Sequence, residues 1–262
     1  MPDVAIRRER YSRSAVGCRF MDVRMLRKTF VVITSSGVLL ATASAGVSAA
    51  ASAGASTAGD KSIAKAGVLT ADDFSAEWQQ ERPDPVDKGV DRIAEGIPSC
   101  RGYLVVKTAA HKNPRAKSQD FVQGDDEVSN STNVFSTERA ATGALAEVRD
   151  PSVERCLRTV FEKVIRASIA EDPATRKQIE SVDVAVTRPD VPAVGDDALA
   201  FAIVITVLTK TEREATDVYL VQEFVRVGRV IASFNFQATG QPLTDTAGYI
   251  DASVERLRTA LA

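Results

Sequence analysis

The sequence predicts an α+β fold: an antiparallel β-sheet flanked by helices, which is an α/β/α sandwich. Four apolar or alternating runs follow one another with short turns in the carboxyl-terminal half, and short turns favour antiparallel pairing. Amphipathic helical patterns occur near the start, in the middle and at the end of the chain, and each must bury its apolar side on that sheet. The 262 residues are 44% apolar and 26% charged, which is typical of a globular protein.

The first half of the chain carries weaker signals. In 86–97 the apolar residues step by three and four positions, which predicts a short helix that ends before a proline. The run 103–108 predicts a strand. The polar stretch 111–126 predicts a loop with a weak strand through 121–122. The Ser/Asn/Thr-rich segment 128–135 predicts a solvated edge strand.

Two consecutive helices are predicted in the middle of the chain. Ser136 is the expected N-cap of a helix over 137–148, and Phe135 is placed to contact its first turn. Asp150 caps the next helix and Pro151 occupies its first position. Its apolar residues form one broad stripe: Val153, Leu157, Val160, Phe161, Val164, Ile165 and Ile169.

The last part of the chain predicts four strands and a helix. Residues 182–186 alternate as in a half-buried strand, and a turn at 195–197 follows. The run 199–208 is almost entirely apolar, which predicts a central strand that is covered on both faces.

A hairpin with Gly228 in its turn joins the strands predicted over 218–227 and 230–237. Asp245 or Thr246 caps the final helix, whose apolar face is Ile250, Val254, Leu257 and Leu261.

The amino terminus has the order of a secretory signal peptide. A basic region ends at residue 28, an apolar run covers 30–41, and small residues fill 42–55. We expect cleavage, with residues 1–53 as the signal peptide. The alternative is an uncleaved anchor helix, because the run 30–55 is long enough to span a bilayer. Met21 and Met25 are alternative translation starts. A second open alternative is therefore a mis-assigned start, in which residues 1–20 or 1–24 are not translated.

The mature chain is predicted to be exported without a stable membrane anchor. No cysteine lies in the small-residue segment directly after the apolar run, so no lipid attachment site is visible there. Residues 54–68 are rich in small residues without periodicity, which predicts a flexible linker. Residues 69–262 are predicted to form a single domain. The expected location is secreted or extracellular, in the cell envelope or beyond.

The cysteine count supports export. Removal of the signal peptide removes Cys18 and leaves Cys100 and Cys156. Two cysteines in an exported protein predict a disulfide; two unpaired buried thiols are the alternative.

The composition excludes several classes of chemistry. Residues 54–262 carry a net charge of −7, which argues against nucleic-acid binding. His111 is the only histidine, and a surface loop position is the simplest interpretation of it. We therefore expect no metal site, no cofactor and no catalytic residue.

Two acidic clusters are candidates for a catalytic carboxylate pair. They are Asp125, Asp126 and Glu127 after Gly124, and Asp196 and Asp197 after Gly195. Their spacing does not match a calcium-binding loop, and solvated turn residues are the simpler interpretation.

Five aromatic residues could line an apolar pocket or belong to the ordinary core, and core is the simpler interpretation. They are Phe74, Trp78, Tyr103, Phe121 and Phe135.

Several of these features together resemble a known group of exported proteins. They are the leader, Leu69–Phe74 followed by Trp78, the two cysteines, the turn at 195–197 before a long apolar strand, the 226–229 hairpin and the closing helix. This pattern is similar to actinobacterial proteins with a PknH-like extracellular sensor domain and to their LpqN-like relatives. The resemblance implies an α/β/α sandwich that binds a ligand or partner outside the cell, and no catalytic residues.

Two functional hypotheses follow. The first is a secreted, non-enzymatic binding or sensor-like domain for a small envelope-derived ligand or an extracellular protein partner. The alternative is an extracellular hydrolase that uses paired carboxylates on a cell-envelope or polysaccharide substrate, which requires two acids facing one groove.

Overall fold

The computed structural model describes residues 58–82, 88–100, 103–104, 112–210 and 215–262. Within these ranges, eight strands form one antiparallel sheet with helices on both faces, and this confirms the predicted fold class. The strands are β1 (Gln79–Glu81), β2 (Arg115–Lys117), β3 (Asp120–Gln123), β4 (Asp126–Val134), β5 (Ile179–Thr187), β6 (Asp197–Thr209), β7 (Ala215–Val227) and β8 (Val230–Thr239).

The order across the sheet is β1-β3-β4-β8-β7-β6-β5, and β2 also pairs with β4. The last four strands form a meander in which each strand pairs with its neighbours in sequence, with β5 at the edge. Gly228 has a φ of +55° in the tight β7–β8 turn, a conformation that glycine adopts without steric cost. The predicted hairpin is confirmed.

Six helices lie in the described part of the chain. They are α1 (Ala58–Ala66), α2 (Lys88–Glu95), α3 (Glu138–Val148), α4 (Pro151–Glu171), α5 (Pro173–Gln178) and α6 (Ala247–Leu261), and short 3-10 turns cover Ala71–Asp73 and Pro98–Cys100. Asp150 caps α4 through a 2.7 Å bond from the Ser152 N–H, as predicted. Thr246 is the N-cap of α6. None of the helices in the described ranges is long and apolar enough to cross a membrane.

The sheet has two faces with different helical layers. The α4 face is covered by α2, α3 and α4, and its core includes Phe201, Ile203 and Ile205. The α6 face is covered by α1 and α6, and its core includes Phe121 and Phe234. Because the strands alternate their side chains, the central strands supply both cores.

A disulfide joins Cys100 to Cys156, as the cysteine count predicted. Both residues are fully buried in the core of the α4 face. The bond ties the 3-10 turn that follows α2 to α4, so it fixes two segments of this layer to each other.

The flexible linker predicted for 54–68 is not what the structure shows for its described part. Residues 58–66 are α1, and Ala64 is fully buried. Polar side chains of β4 bind its end: Thr132 Oγ1 donates to the Ala64 carbonyl at 2.5 Å, and Asn130 Nδ2 donates to the Gly67 carbonyl at 2.8 Å. A Cβ on Gly67 would lie 2.6 Å from Leu257, so only glycine permits this close approach to α6.

The same contacts explain why β4 is not the solvated edge strand that its composition predicted. It lies between β8 on one side and β2 and β3 on the other. Ser129, Asn130 and Thr132 are buried. The polar atoms of Asn130 and Thr132 can be buried because they form hydrogen bonds with backbone groups. Hydrophobic periodicity in the sequence does not reveal such hydrogen-bond partners.

Three smaller expectations were wrong. β6 is the second strand from the edge, and alternate residues along it are only half-buried, so it is not covered on both faces. The N-cap of α3 is Thr137 rather than Ser136, and its hydroxyl accepts from the Ala140 N–H at 3.1 Å. Tyr103 and Leu104 are helical where a strand over 103–108 was predicted, and the rest of that segment lies outside the described residues.

Candidate ligand-binding groove

A groove opens on the α4 face between α4 and the sheet. The groove is narrow and partly open to solvent, and its water-accessible volume is about 30 Å³. Strands of the sheet and α4 supply its walls, and Tyr103 lies at its side.

The helical wall of the groove is apolar. Leu157, Val160 and Phe161 line it, and all three belong to the stripe that the sequence predicted for α4. Ile203 and Leu220 extend the apolar surface onto the sheet.

The opposite wall is polar. Glu127 of β4 stands directly across from Gln237 of β8, and both are more than nine-tenths buried. Gln222 of β7 stands across from Asn235 of β8, and its Nε2 donates to Asn235 Oδ1 at 3.3 Å. These four side chains form a polar row, and a row of amides and a carboxyl offers both hydrogen-bond donors and acceptors.

The sequence of β7 contains a signal for this row, which the prediction of a strand over 218–227 did not use. Val218, Leu220 and Phe224 are buried at every second position, and Gln222 takes the same register. A polar residue in the buried register of an apolar strand indicates either a paired core group or a site. Gln222 pairs with Asn235 only because the β7–β8 hairpin keeps one register along its whole length.

The acidic clusters do not form a pair of facing carboxylates. Asp126 is at the start of β4, whereas Asp197 aligns through β7 and β8 with Asn133 near the other end of β4. At about 3.3 Å per residue the two clusters are roughly 20 Å apart along the sheet. That separation exceeds what a two-carboxylate hydrolase uses.

The carboxylates at 196 and 197 have structural roles. Asp196 accepts the Gly228 N–H at 2.6 Å and an Arg226 nitrogen at 3.2 Å, which fastens the β7–β8 turn. Asp197 accepts from Arg149 at 2.7 Å. At the other end of the sheet, burial raises the pKa of Asp126, and the neighbouring Asp125 charge raises it further.

The five aromatic residues do not share one pocket. Phe74, Trp78 and Phe121 cluster on the α6 face with Tyr249, where the Phe74 ring stacks 3.9 Å from Phe121 and 4.6 Å from Tyr249. Phe135 belongs to the core of the α4 face, and Tyr103 lines the groove.

His111 lies outside the described residues. Within the described ranges, no three His, Cys, Asp or Glu side chains are grouped as metal ligands.

The fold and the groove together define an α/β/α sandwich with a narrow groove, apolar on one wall and polar on the other, beneath one helical layer. Among solved structures, the chain is similar to the extracellular domain of PknH from Mycobacterium tuberculosis, with 11% identity, a TM-score of 0.40 and coverage of 76% of this chain and 96% of that one. No protein-family model matches the sequence, and no curated protein matches it.

Proposed function

We propose that this chain is an exported, non-enzymatic binding domain that takes a small amphipathic ligand in the α4 groove. The observation that carries the proposal is the groove itself, in which an apolar helical wall faces a row of polar side chains. Such a site buries the apolar body of a ligand and orients its polar end by hydrogen bonds.

Export is supported by the amino-terminal pattern and by the disulfide. The basic, apolar and small-residue segments before Ala58 follow the order of a signal peptide. Cys100 and Cys156 are bonded, and disulfides persist in oxidising compartments. A ligand derived from the cell envelope fits both the compartment and the amphipathic groove, and an extracellular protein partner is the other binding role that the sequence suggests.

Native mass spectrometry of the exported protein tests the proposal. We expect a native species that is heavier than the denatured chain by the mass of a bound ligand. The denatured mass gives the cleavage site, and reduction adds the mass of two hydrogen atoms if the disulfide is present in solution.

A matched pair of variants assigns that ligand to the groove. Asn235→Ala removes a member of the polar row and should lose most of the bound species. Ser233→Ala changes the same face of the same strand two residues away, outside the groove, and should retain it. Equal native and denatured masses for the unaltered protein, or equal loss from both variants, would contradict the proposal.

A further inference from the structure

Among the described residues, the helices on the α6 face do not extend over the whole width of the sheet. Seven strands side by side span about 29 Å at ~4.8 Å per strand step. Two helices cover roughly 20 Å, because each is about 10 Å wide. α1 packs on β2 and β4, and α6 packs on α1 and β7. No helix of the described ranges packs on the remaining width, above β5 and β6, which corresponds to one more helix.

The side chains of this uncovered part are apolar and incompletely buried. On the α6 face, Ala202, Val204 and Leu208 of β6 and Tyr219 of β7 are half-buried, although they stand in the middle of paired strands. Ala185 of the neighbouring edge strand is exposed. We call this region the bare face. It consists of the α6-face residues of β5, those of β6 between 202 and 208, and those of β7 between 215 and 221.

A buried carboxyl borders the bare face. Glu223 stands opposite Ala200 on β6 and Phe234 on β8, and it is 7% exposed. It makes no hydrogen bond or ion pair with any of the described residues. Burial alone raises the pKa of its carboxyl to about 7. Its oxygens are not among the fully buried polar atoms that lack a partner, so they keep contact with solvent and are accessible to a cation that approaches from outside.

The ionisable side chains of the bare face and its border are acidic. Among the described α6-face positions of β5, β6 and β7, the ionisable acids are Asp183, Asp217 and Glu223. Asp217 accepts from Thr206 at 2.7 Å, whereas no lysine or arginine stands on these positions. A basic occupant is therefore electrostatically complementary.

We propose that the bare face docks an amphipathic helix of a protein partner, and that this helix presents a lysine or arginine to Glu223. Its apolar side lies on Ala202, Val204 and Tyr219, and its cation enters beside Glu223. Asp217 is six residues from Glu223 along β7, about 20 Å, which is close to four helical turns. A second basic residue fourteen positions from the first therefore reaches the Asp217 end.

A synthetic peptide provides the probe. It is an 18-residue amphipathic helix of leucine and alanine on its apolar side, with lysines fourteen positions apart at the borders of that side and a fluorescein label. Its partner peptide carries glutamines in place of the two lysines. Fluorescence anisotropy measures binding of both peptides to the whole protein.

We expect the lysine peptide to bind about tenfold more tightly than the glutamine peptide. Glu223→Gln keeps the shape of the side chain and should remove most of that difference, because the charge contact is lost. Val204→Arg stands on the bare face away from Glu223 and should weaken both peptides. Ala167→Arg adds the same group at an exposed position of α4 and should change neither.

Several outcomes overturn the proposal. They are no binding of either peptide at millimolar concentration, equal binding of the two peptides, and an unchanged lysine preference in Glu223→Gln. A dimer that Val204→Arg disperses would assign the face to a second copy of this chain. Cross-links from position 204 to residues before Ala58 would assign it to the chain's own amino-terminal segment. Both assignments overturn a partner helix. The groove ligand is measured separately, so the two proposals fail independently.

Discussion

The two helical layers are fastened to the same sheet by different means. On the α4 face, a broad apolar stripe and a buried disulfide hold α4 and the segment before it. On the α6 face, polar side chains hold the incoming chain: Asn130 and Thr132 from the sheet, and Ser253 and Arg256 from α6. The comparison shows that α1 needs only a small apolar contact with the sheet when its backbone carbonyls accept hydrogen bonds from polar side chains.

Glu223 is the exception on the α6 face. It is a buried polar group, and it has no hydrogen-bond partner among the described residues.

The disulfide offers the largest expected effect. Its two cysteines are 56 residues apart, and closing a loop of that length stabilises the folded state by about 4 kcal/mol in the chain-entropy estimate. We expect Cys100→Ser with Cys156→Ser to lower the free energy of unfolding by about that amount in urea titrations. Reduction of the unaltered protein should give the same loss. A loss below about 1 kcal/mol would show that the apolar stripe alone holds the α4 layer.

The corresponding change on the α6 face is Asn130→Ala. The side chain accepts the Leu69 N–H at 2.9 Å and donates to the Gly67 carbonyl, and its removal leaves a buried N–H unpaired. We expect a loss of about 3 kcal/mol in the free energy of unfolding. Asn133→Ala, half-buried on the same strand, is the control and should cost less than about 1 kcal/mol. Equal losses from both would mean that this layer does not depend on its polar anchors.

The variant Glu223→Gln tests the role of this buried carboxyl, and its effect on the free energy of unfolding depends on pH. Burial raises the carboxyl pKa from 4.5 to about 7 in the folded state, so folding favours the protonated form. Below pH 4.5 the group is neutral in both states and has no penalty. As the pH rises from 4.5 to about 7, the unfolded state releases this proton while the folded state keeps it, so stability falls; above about 7 both states are ionised and the loss is complete.

The expected result is a variant that gains stability relative to the unaltered protein as the pH rises. We expect the difference in unfolding free energy to grow by about 3 kcal/mol between about pH 4.5 and 8. Glu255→Gln, exposed on α6, should show no such trend. A constant difference across this range would mean that Glu223 has a partner in solution.

Much of the fold followed from hydrophobic periodicity. The stripe of α4, the alternation in β5 and the hairpin at Gly228 were predictable because each is a local pattern with one period. The misplaced elements are those where the contacts are polar and distant in sequence. α1 is short and poor in large apolar residues, and Asn130, more than sixty residues away, supplies partners for the chain that leaves it.

The candidate site was less predictable than the fold. Tyr103 and Phe161 were visible as apolar residues, but nothing local distinguished groove from core. The polar row depends on β4 lying beside β8, a pairing of strands that are about a hundred residues apart. Two signals were available in the sequence: the buried register of Gln222 in β7, and Glu127 in the first acidic cluster, which was considered as a calcium or catalytic site and not as part of a groove.

The aromatic cluster of the α6 face has an optical consequence. Trp78 is the only tryptophan of the chain, and its ring lies 5.3 Å from Phe74 and 6.3 Å from Tyr249. Its emission therefore arises from a single place, at the junction between the segment after α1 and the start of α6. Departure of that segment exposes the indole to water and shifts its fluorescence to longer wavelength. The fluorescence of Trp78 therefore reports on the helical layer of the α6 face and not on that of the α4 face.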